Sequence, residues 1–183
     1  EKAFSSMQPE TVAEVRAWLQ KVHNDLRGAE IDLAADPPLI EDALFHCQQA
    51  VEKALKGFLT AHEQIFRKTH DLDELGRACA AIDPTLLPLV GSARDLTVFA
   101  WEYRYPGATE VPSAEEAQQV LMTVRTLTGQ VLSRLPSSVQ PSVLRSLNAQ
   151  YSPAAWACAA RLVLIACNCN SYVGIRSGSG RGR

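Results

Sequence analysis

The segment FHCQQAVEKALKGFL, Phe45–Leu59, repeats its apolar residues at three- and four-residue steps, the spacing of one face of an α-helix. At 3.6 residues per turn, four polar residues share a second arc of about 80°. We refer to these four as the polar stripe. A helix with one apolar and one polar face is expected to pack its apolar side against other helices. The polar stripe is His46, Gln49, Lys53 and Lys56; the apolar face is Cys47, Ala50, Val51, Ala54, Leu55 and Phe58.

Helical signals continue on both sides of this segment, and proline-containing joints separate them. Thr11 and Glu14 have the spacing of a capping box at a helix start. Ser113 and Glu116 have the same spacing. No alternating strand pattern precedes residue 139, so the predicted fold class is all-α, an up-and-down bundle of about five helices. The predicted helices run from about Thr11 to Ala34, Leu39 to His62, Thr69 or His70 to Ile82, Leu86 to Tyr103 and Ser113 to Leu135.

The length and composition predict one globular domain and a further segment of the same polypeptide outside it. The sequence has 183 residues, of which 46% are apolar, enough for a single hydrophobic core. Residues 11–135 are predicted to form the helical bundle. Residues 136–183 lack Asp, Glu and helical periodicity, and are predicted to be a linker and a weakly structured C-terminal tail. This tail is either a non-native extension or a weakly ordered native segment.

The net charge, the length of the apolar segment and the cysteines indicate which partners and which cellular compartment to expect. A net charge of −2 argues against a nucleic-acid partner on composition alone. The apolar segment 154–169 is shorter than the about 20 residues of a membrane-spanning helix, so no membrane is predicted. Cys47 and Cys79 lie in helical patterns and are expected to be small buried residues. The odd number of cysteines and a start without an apolar segment predict a cytoplasmic protein.

The polar stripe has two interpretations on physical grounds. It can be a solvated helix face on which Glu52 and Lys56 form an exposed ion pair, which contributes only about 0.3 kcal/mol. It can also be a binding site, because tandem glutamines and a histidine are unusual on a face that normally carries Glu and Lys. Periodicity favours the first interpretation without excluding the second.

Four blocks of the sequence resemble the HEPN family, small helical domains of prokaryotes and higher eukaryotes linked to nucleotide binding. The blocks are WLQKVHNDLRGAE at Trp18–Glu30, FHCQQAVEKALKGFL at Phe45–Leu59, KTHDLDEL at Lys68–Leu75 and YRYPG at Tyr103–Gly107. They occur in the family's order and span about Val15–Leu135. The resemblance implies an up-and-down helical bundle that is usually dimeric. It also implies a minimal nucleotidyltransferase as a neighbour, often in a toxin–antitoxin pair.

Many members of that family are metal-independent endoribonucleases with a late Arg-x4-6-His signature. Here Arg104 stands where that arginine would stand, but no histidine follows, because His70 is the last histidine of the chain. Arg16 and His23 match the spacing formally, but they lie on the first predicted helix, and we attribute the match to chance. The sequence therefore resembles the subgroup without the nuclease signature.

From these residues we predict a polar groove for a phosphate-bearing ligand. The polar stripe would form one wall, since its members face one side of the helix. The start of the third helix would add two side chains and unpaired backbone N–H groups, which attract anions. Arg104 would add a two-pronged phosphate donor. The predicted ligand-binding residues are His46, Gln49, Lys53, Lys56, His70, Asp71 and Arg104; no catalytic or metal-binding residue is predicted.

The predicted function is a non-catalytic, nucleotide-associated binding module. It would form a homodimer and pair with a nucleotidyltransferase in a toxin–antitoxin-type system. A nucleotide is the one ligand indicated, with no other cofactor. Two alternatives stay open at this point: a metal-independent endoribonuclease toxin with a non-standard site, and a dimerising partner protein without a ligand.

Overall fold

A computed structural model describes residues 7–97, 111–136 and 139, all within one unit of the chain, 1–150. These residues form five packed α-helices and no strand, which confirms the predicted all-α bundle. None of the helices in this part of the chain is long and apolar enough to cross a membrane. The predicted tail, apart from Pro136 and Val139, lies outside the described residues. The helices are α1 (Pro9–Ala34), α2 (Ile40–Ala61), α3 (Leu72–Ile82), α4 (Leu87–Leu96) and α5 (Ala114–Leu132), with a 3-10 turn at Pro84–Leu86.

The helix starts differ in how well the sequence predicted them. Ser113 and Glu116 form the expected capping box at α5, since each side chain accepts a hydrogen bond from the other's backbone N–H. The capping box expected at Thr11 is wrong, because α1 already begins at Pro9. Proline suits the first helical position, where its fixed φ is helical and no N–H partner is needed. The predicted end of the fourth helix at Tyr103 lies outside the described residues.

Helix α2 is the centre of the bundle and packs against α1, α3 and α5. All six residues of its predicted apolar face are buried, as is Cys79 on α3. Gly57 brings α1 close to α2, because a Cβ at this position would lie 3.2 Å from Cβ of Trp18. Trp18 itself is half-buried and packs edge-on against Phe66 at a centroid distance of 6.5 Å. A helix enclosed on three sides has little exposed surface left for the side chains of its polar stripe.

Candidate functional site

A buried ion pair lies at the centre of the polar side of α2. The side chain of Glu52 is only 5% exposed and that of Lys56 only 9%. Lys56 Nζ donates to Glu52 Oε1 at 2.8 Å, and Gln48 Nε2 donates to Glu52 Oε2 at 3.1 Å. Nδ1 of His70, from the segment before α3, lies 2.9 Å from Glu52 Oε2. We call Gln48, Glu52, Lys56 and His70 the Glu52 cluster; because most of it is buried, the expected solvated Glu52–Lys56 pair is wrong.

The Glu52 cluster holds the connector between α2 and α3. Lys56 Nζ donates a second hydrogen bond to the backbone carbonyl of Thr69 at 2.9 Å. Gln48 Nε2 approaches the carbonyl oxygen of His70 at 3.4 Å. Side chains of α2 therefore satisfy two consecutive carbonyl groups of the connector. This fixes the backbone of residues 69–70 on the bundle, and with it the direction of the His70 side chain.

The carboxyl group of Glu52 is ionised at neutral pH despite its burial. Burial by itself would raise its pKa, but hydrogen bonds from Lys56, His70 and Gln48 outweigh this, and the pKa lies below the ordinary value of 4.5. A carboxylate with several donors is stable inside a protein because each donor replaces lost water. The cluster thus presents a fixed negative charge to the ring of His70.

Two further members of the polar stripe face α1. Lys53 Nζ lies 2.5 Å from Asp25 Oδ2, and His46 Nδ1 lies 3.2 Å from Asp25 Oδ1. His46 Nε2 lies 3.8 Å from Oδ2 of Asp32, beyond hydrogen-bond distance. We call Asp25, Asp32, His46 and Lys53 the Asp25 cluster. It joins α1 to α2 through charged groups, and Lys53 is neutralised there by a carboxylate.

Gly28 makes room for His46 in this cluster. A Cβ at Gly28 would lie only 2.9 Å from Cδ2 of the His46 ring, so the ring rests directly on the backbone of α1. Oδ2 of Asp32 is buried and has no hydrogen-bond partner in the described part of the chain. Burial raises the pKa of Asp32, and the nearby His46 only partly opposes this. Asp32 is therefore the least satisfied member of the cluster.

A groove of about 420 Å³ opens where the connector meets α3 and the end of α4. Its volume lies within the range of about 300–1,000 Å³ that is usual for small-molecule sites. Arg67 in its wall makes a two-pronged ion pair with Glu74. We call this the α3 groove. It is lined by Arg67, Lys68, Thr69, His70, Asp71 and Thr97.

The first turn of α3 does not offer the unpaired N–H groups that the sequence predicted. Asp71 is the N-cap, and its carboxylate accepts from the backbone N–H groups of Asp73 and Glu74 at 2.9 and 3.2 Å. The backbone N–H of Leu72 donates to Thr97 Oγ1 at 3.3 Å. This part of the prediction is wrong, because the capping carboxylate takes the place an anion would need.

A second concavity, of about 440 Å³, lies beside the start of α1 and the end of α2. The ionisable residues in its wall are Glu14 and Glu63, with Thr11 and Thr60 nearby. Acidic side chains disfavour a phosphate-bearing ligand, so this concavity is the weaker candidate. In the described residues no group of three or more His, Cys, Asp or Glu side chains is placed to hold a metal ion.

The model of the HEPN domain family matches residues 15–133, about two thirds of the chain. This chain belongs to the HEPN family. No curated protein and no solved structure gave a match. Membership supports a nucleotide-associated or ribonuclease-type module, and the match covers α1 to α5 almost completely.

The predicted site of this HEPN domain is divided among three places. His70 and Asp71 line the α3 groove. Lys56 belongs to the Glu52 cluster, which Gln49 also reaches, with Nε2 lying 2.7 Å from Gln48 Oε1 and 3.3 Å from Glu52 Oε2. His46 and Lys53 belong to the Asp25 cluster. The polar stripe therefore serves two clusters instead of forming one wall, and Arg104 lies outside the described residues.

Several residues that form the two clusters and the α3 groove were not predicted as site residues. Gln48 lies four residues before Glu52, and Glu52 lies four residues before Lys56. This spacing places each of them one turn from the next on α2. That signal was present in the sequence, but it fits an exposed helix face equally well. Lys68 lies in the KTHDLDEL block but was not named as a site residue. Asp25 and Thr97 gave no signal, because only the packing of α1 and of the end of α4 against α2 and α3 brings them near the other residues.

Proposed function

We propose that this HEPN domain is a nucleotide-binding module that holds the phosphate of its ligand in the α3 groove. The observation that carries the proposal is the exposed side chain of Lys68 in the wall of the groove, between Arg67, which is paired with Glu74, and His70. Lys and Arg are the usual partners of phosphate groups in proteins. Within the described residues, Lys68 has no ion-pair partner, so its ammonium group is available for a ligand.

Two hydroxyl groups in the groove support the same ligand class. Thr69 Oγ1 accepts a hydrogen bond from the backbone N–H of Asp71 at 3.1 Å, and Thr97 Oγ1 accepts one from Leu72. A hydroxyl that accepts in this way still has a proton to donate. A phosphate oxygen is an acceptor only, so these two donors suit it.

We further propose that the module does not cleave RNA by itself. Cleavage needs groups placed to remove and to return protons at the phosphate, and this chain lacks the family's late Arg-x4-6-His signature. The HEPN family's association with nucleotidyltransferases makes such an enzyme the proposed partner. A homodimer is the proposed assembly, for which light scattering should give about twice the chain mass of 20.0 kDa.

Calorimetric titration with a panel of nucleoside mono-, di- and triphosphates tests the binding proposal. At least one nucleotide should bind the full chain, and Lys68→Ala should bind it about tenfold more weakly, as expected for loss of one charged contact. Lys21→Ala on the exposed side of α1 is the matched control and should bind like the wild type. Arg104→Ala tests the remaining predicted residue.

Two results would overturn the proposal. The first is the absence of heat with every nucleotide; the second is equal affinity of the wild type and Lys68→Ala. The non-cleaving part has its own test, in which the full chain is incubated with single-stranded RNA without metal ions. RNA cleavage that disappears in His70→Ala would show that the module is an endoribonuclease.

A further inference from the structure

We infer that Arg67 is a second phosphate-binding residue of the α3 groove and that Glu74 competes with the ligand for it, so that the groove selects nucleotides with two linked phosphates. This inference rests on the proposed function and deepens it, because it names the ligand class as a nucleoside diphosphate. Neither residue is among the site residues predicted from the sequence.

The ion pair between Arg67 and Glu74 joins the connector to the first turn of α3. Arg67 Nε donates to Glu74 Oε1 at 2.7 Å, and Nη2 donates to Oε2 at 2.6 Å. Two oxygens of a phosphate group bind a guanidinium group in the same two-pronged way as the two oxygens of a carboxylate. Glu74 therefore occupies a position on Arg67 that suits a phosphate group.

The two partners of this pair differ in their relation to the groove. Arg67 lines it with a side chain that is 75% exposed, whereas Glu74 is not part of its lining. A guanidinium group has five N–H donors, and the pair with Glu74 uses two of them. Nη1 of Arg67 makes no hydrogen bond within the described residues, so Arg67 can contact a ligand before it leaves Glu74.

The contact with Glu74 is weak enough for a ligand to replace. Exposed ion pairs in water change an equilibrium constant by about fivefold at most. In this pair Arg67 is mostly exposed and Glu74 is partly exposed. A phosphate group carries more negative charge at neutral pH than a carboxylate, so it competes well for the same guanidinium group. Glu74 then lowers the affinity of the groove without preventing binding.

Two cations on consecutive residues account for the preference for two phosphates. Lys68, together with the hydroxyl groups of Thr69 and Thr97, offers donors for one phosphate group. The Cα atoms of consecutive residues lie about 3.8 Å apart, so a second phosphate linked to the first can reach Arg67. A nucleoside monophosphate satisfies the first set of donors and leaves Arg67 paired with Glu74.

The charge balance of the described wall gives Glu74 its influence. Apart from His70, the positive charges are those of Arg67 and Lys68, and the negative charges are those of Asp71 and Glu74. The carboxylate of Asp71 is already engaged by two backbone N–H groups at the start of α3. Removing the charge of Glu74 leaves a net positive wall, which attracts an anionic ligand more strongly.

The probes are the 5′-mono- and diphosphates of adenosine, guanosine, cytidine and uridine, titrated calorimetrically into the full chain in metal-free buffer at pH 8.0. Phosphate groups are fully ionised at this pH, so each pair of probes differs in one phosphate group. At least one diphosphate should bind the wild type about tenfold more tightly than its monophosphate. Arg67→Ala should lower this ratio to about two and leave monophosphate binding nearly unchanged, whereas Lys68→Ala should weaken both.

Glu74→Gln keeps the shape of the side chain and removes its charge, so it should bind the diphosphate about fivefold more tightly than the wild type. In an Arg67→Ala background the same change should alter the affinity by less than about twofold, because no guanidinium group is left to release. Asp73→Asn is the matched control. It removes the carboxylate of the neighbouring ion pair with Arg77, outside the lining of the groove, and should have an effect of less than about twofold in about 0.15 M salt.

The outcomes separate this inference from the proposed function. No binding of any of these nucleotides by the wild type and by Glu74→Gln overturns both. Binding that depends on Lys68 but shows no preference for diphosphates overturns the inference alone, as does a preference that persists in Arg67→Ala. Unchanged or weaker binding by Glu74→Gln overturns the competition, and so does equal tightening by Asp73→Asn, which would reduce the effect to net charge.

Discussion

The ammonium group of Lys56 bridges the carboxylate of Glu52 on its own helix and the backbone carbonyl of Thr69 on the connector, at 2.8 and 2.9 Å. A charged side chain that is 9% exposed thus joins α2 to the segment that forms the floor of the α3 groove. Buried ion pairs add little net stability when they form, but breaking one is costly, because the remaining charge loses its partner. Because breaking the pair costs more than forming it gains, removing the charge of Lys56 tests its structural role.

Lys56→Met removes the charge while filling a similar volume. We expect the free energy of unfolding to fall by about 3 kcal/mol, because Glu52 keeps its negative charge in a buried position. Lys21→Met on the exposed side of α1 is the control and should change stability by less than about 0.5 kcal/mol. Urea denaturation followed by circular dichroism measures both. A loss of less than about 1 kcal/mol for Lys56→Met would contradict a buried, unrelieved carboxylate.

The lowered pKa of Glu52 predicts acid sensitivity. A carboxyl group whose pKa is lower in the folded than in the unfolded state stabilises the fold above its ordinary pKa of 4.5. That contribution is lost as the pH falls from 4.5 through the folded-state pKa. Glu52→Gln should therefore be less stable than the wild type at pH 7, and the difference should shrink on acidification below pH 4.5. Thermal unfolding from pH 7 to pH 3 measures this, with the exposed Glu14→Gln as control. A difference that is constant over this range would contradict it.

Gly28 and His46 should be energetically coupled. Alanine at an exposed or uncrowded helix position is about 1 kcal/mol more favourable than glycine. In the wild type this gain should be absent, because the added Cβ would lie 2.9 Å from the His46 ring and push it away from Asp25. In a His46→Ala background, Gly28→Ala should stabilise by about 1 kcal/mol. Gly91→Ala, whose added Cβ meets nothing within 4 Å, should stabilise in both backgrounds. Equal effects of Gly28→Ala in the two backgrounds would rule out the coupling.

The fold was largely predictable because helix formation and burial follow local periodicity. The apolar face of α2 and the capping box at Ser113 were correct, since both depend on residues within a few positions of each other. The start of α1 was misjudged because the capping-box spacing at Thr11 competes with a proline that begins the helix two residues earlier. Helix starts are decided by single residues, so local patterns locate them less well than helix bodies.

The site was less predictable because it depends on contacts between distant parts of the chain. The arc shared by His46, Gln49, Lys53 and Lys56 was correct as geometry on one helix. It could not reveal that Asp25 on α1 is the ion-pair partner of Lys53, nor that packing buries the Glu52–Lys56 pair, which the sequence placed on an exposed face. Nor could it reveal that the N–H groups of α3 are capped by Asp71. Both outcomes follow from which charged groups packing brings within about 3 Å of each other.

Replacing Asp32 by asparagine is predicted to increase the stability of the fold. Its buried Oδ2 has no hydrogen-bond partner in the described part of the chain, and it lies in the last turn of α1, where the helix dipole disfavours a negative charge. Asp32→Asn should therefore raise the free energy of unfolding by about 0.5 kcal/mol at pH 7.5.

The sign of the pH dependence follows from the raised pKa of Asp32, whose largest cause is burial. A carboxyl group with a higher pKa in the folded state destabilises the fold when both states are ionised, and this cost disappears below its ordinary pKa of 3.8. The advantage of Asp32→Asn should therefore be present at pH 7.5 and vanish as the pH falls toward 3.8. Asp36→Asn, on an exposed residue just after α1, is the control and should show no such change. Urea denaturation at pH 7.5, 5.5 and 4.0 measures the trend, and a loss of stability in Asp32→Asn at pH 7.5 would mean that attraction between Asp32 and His46 outweighs the cost of burying the charge.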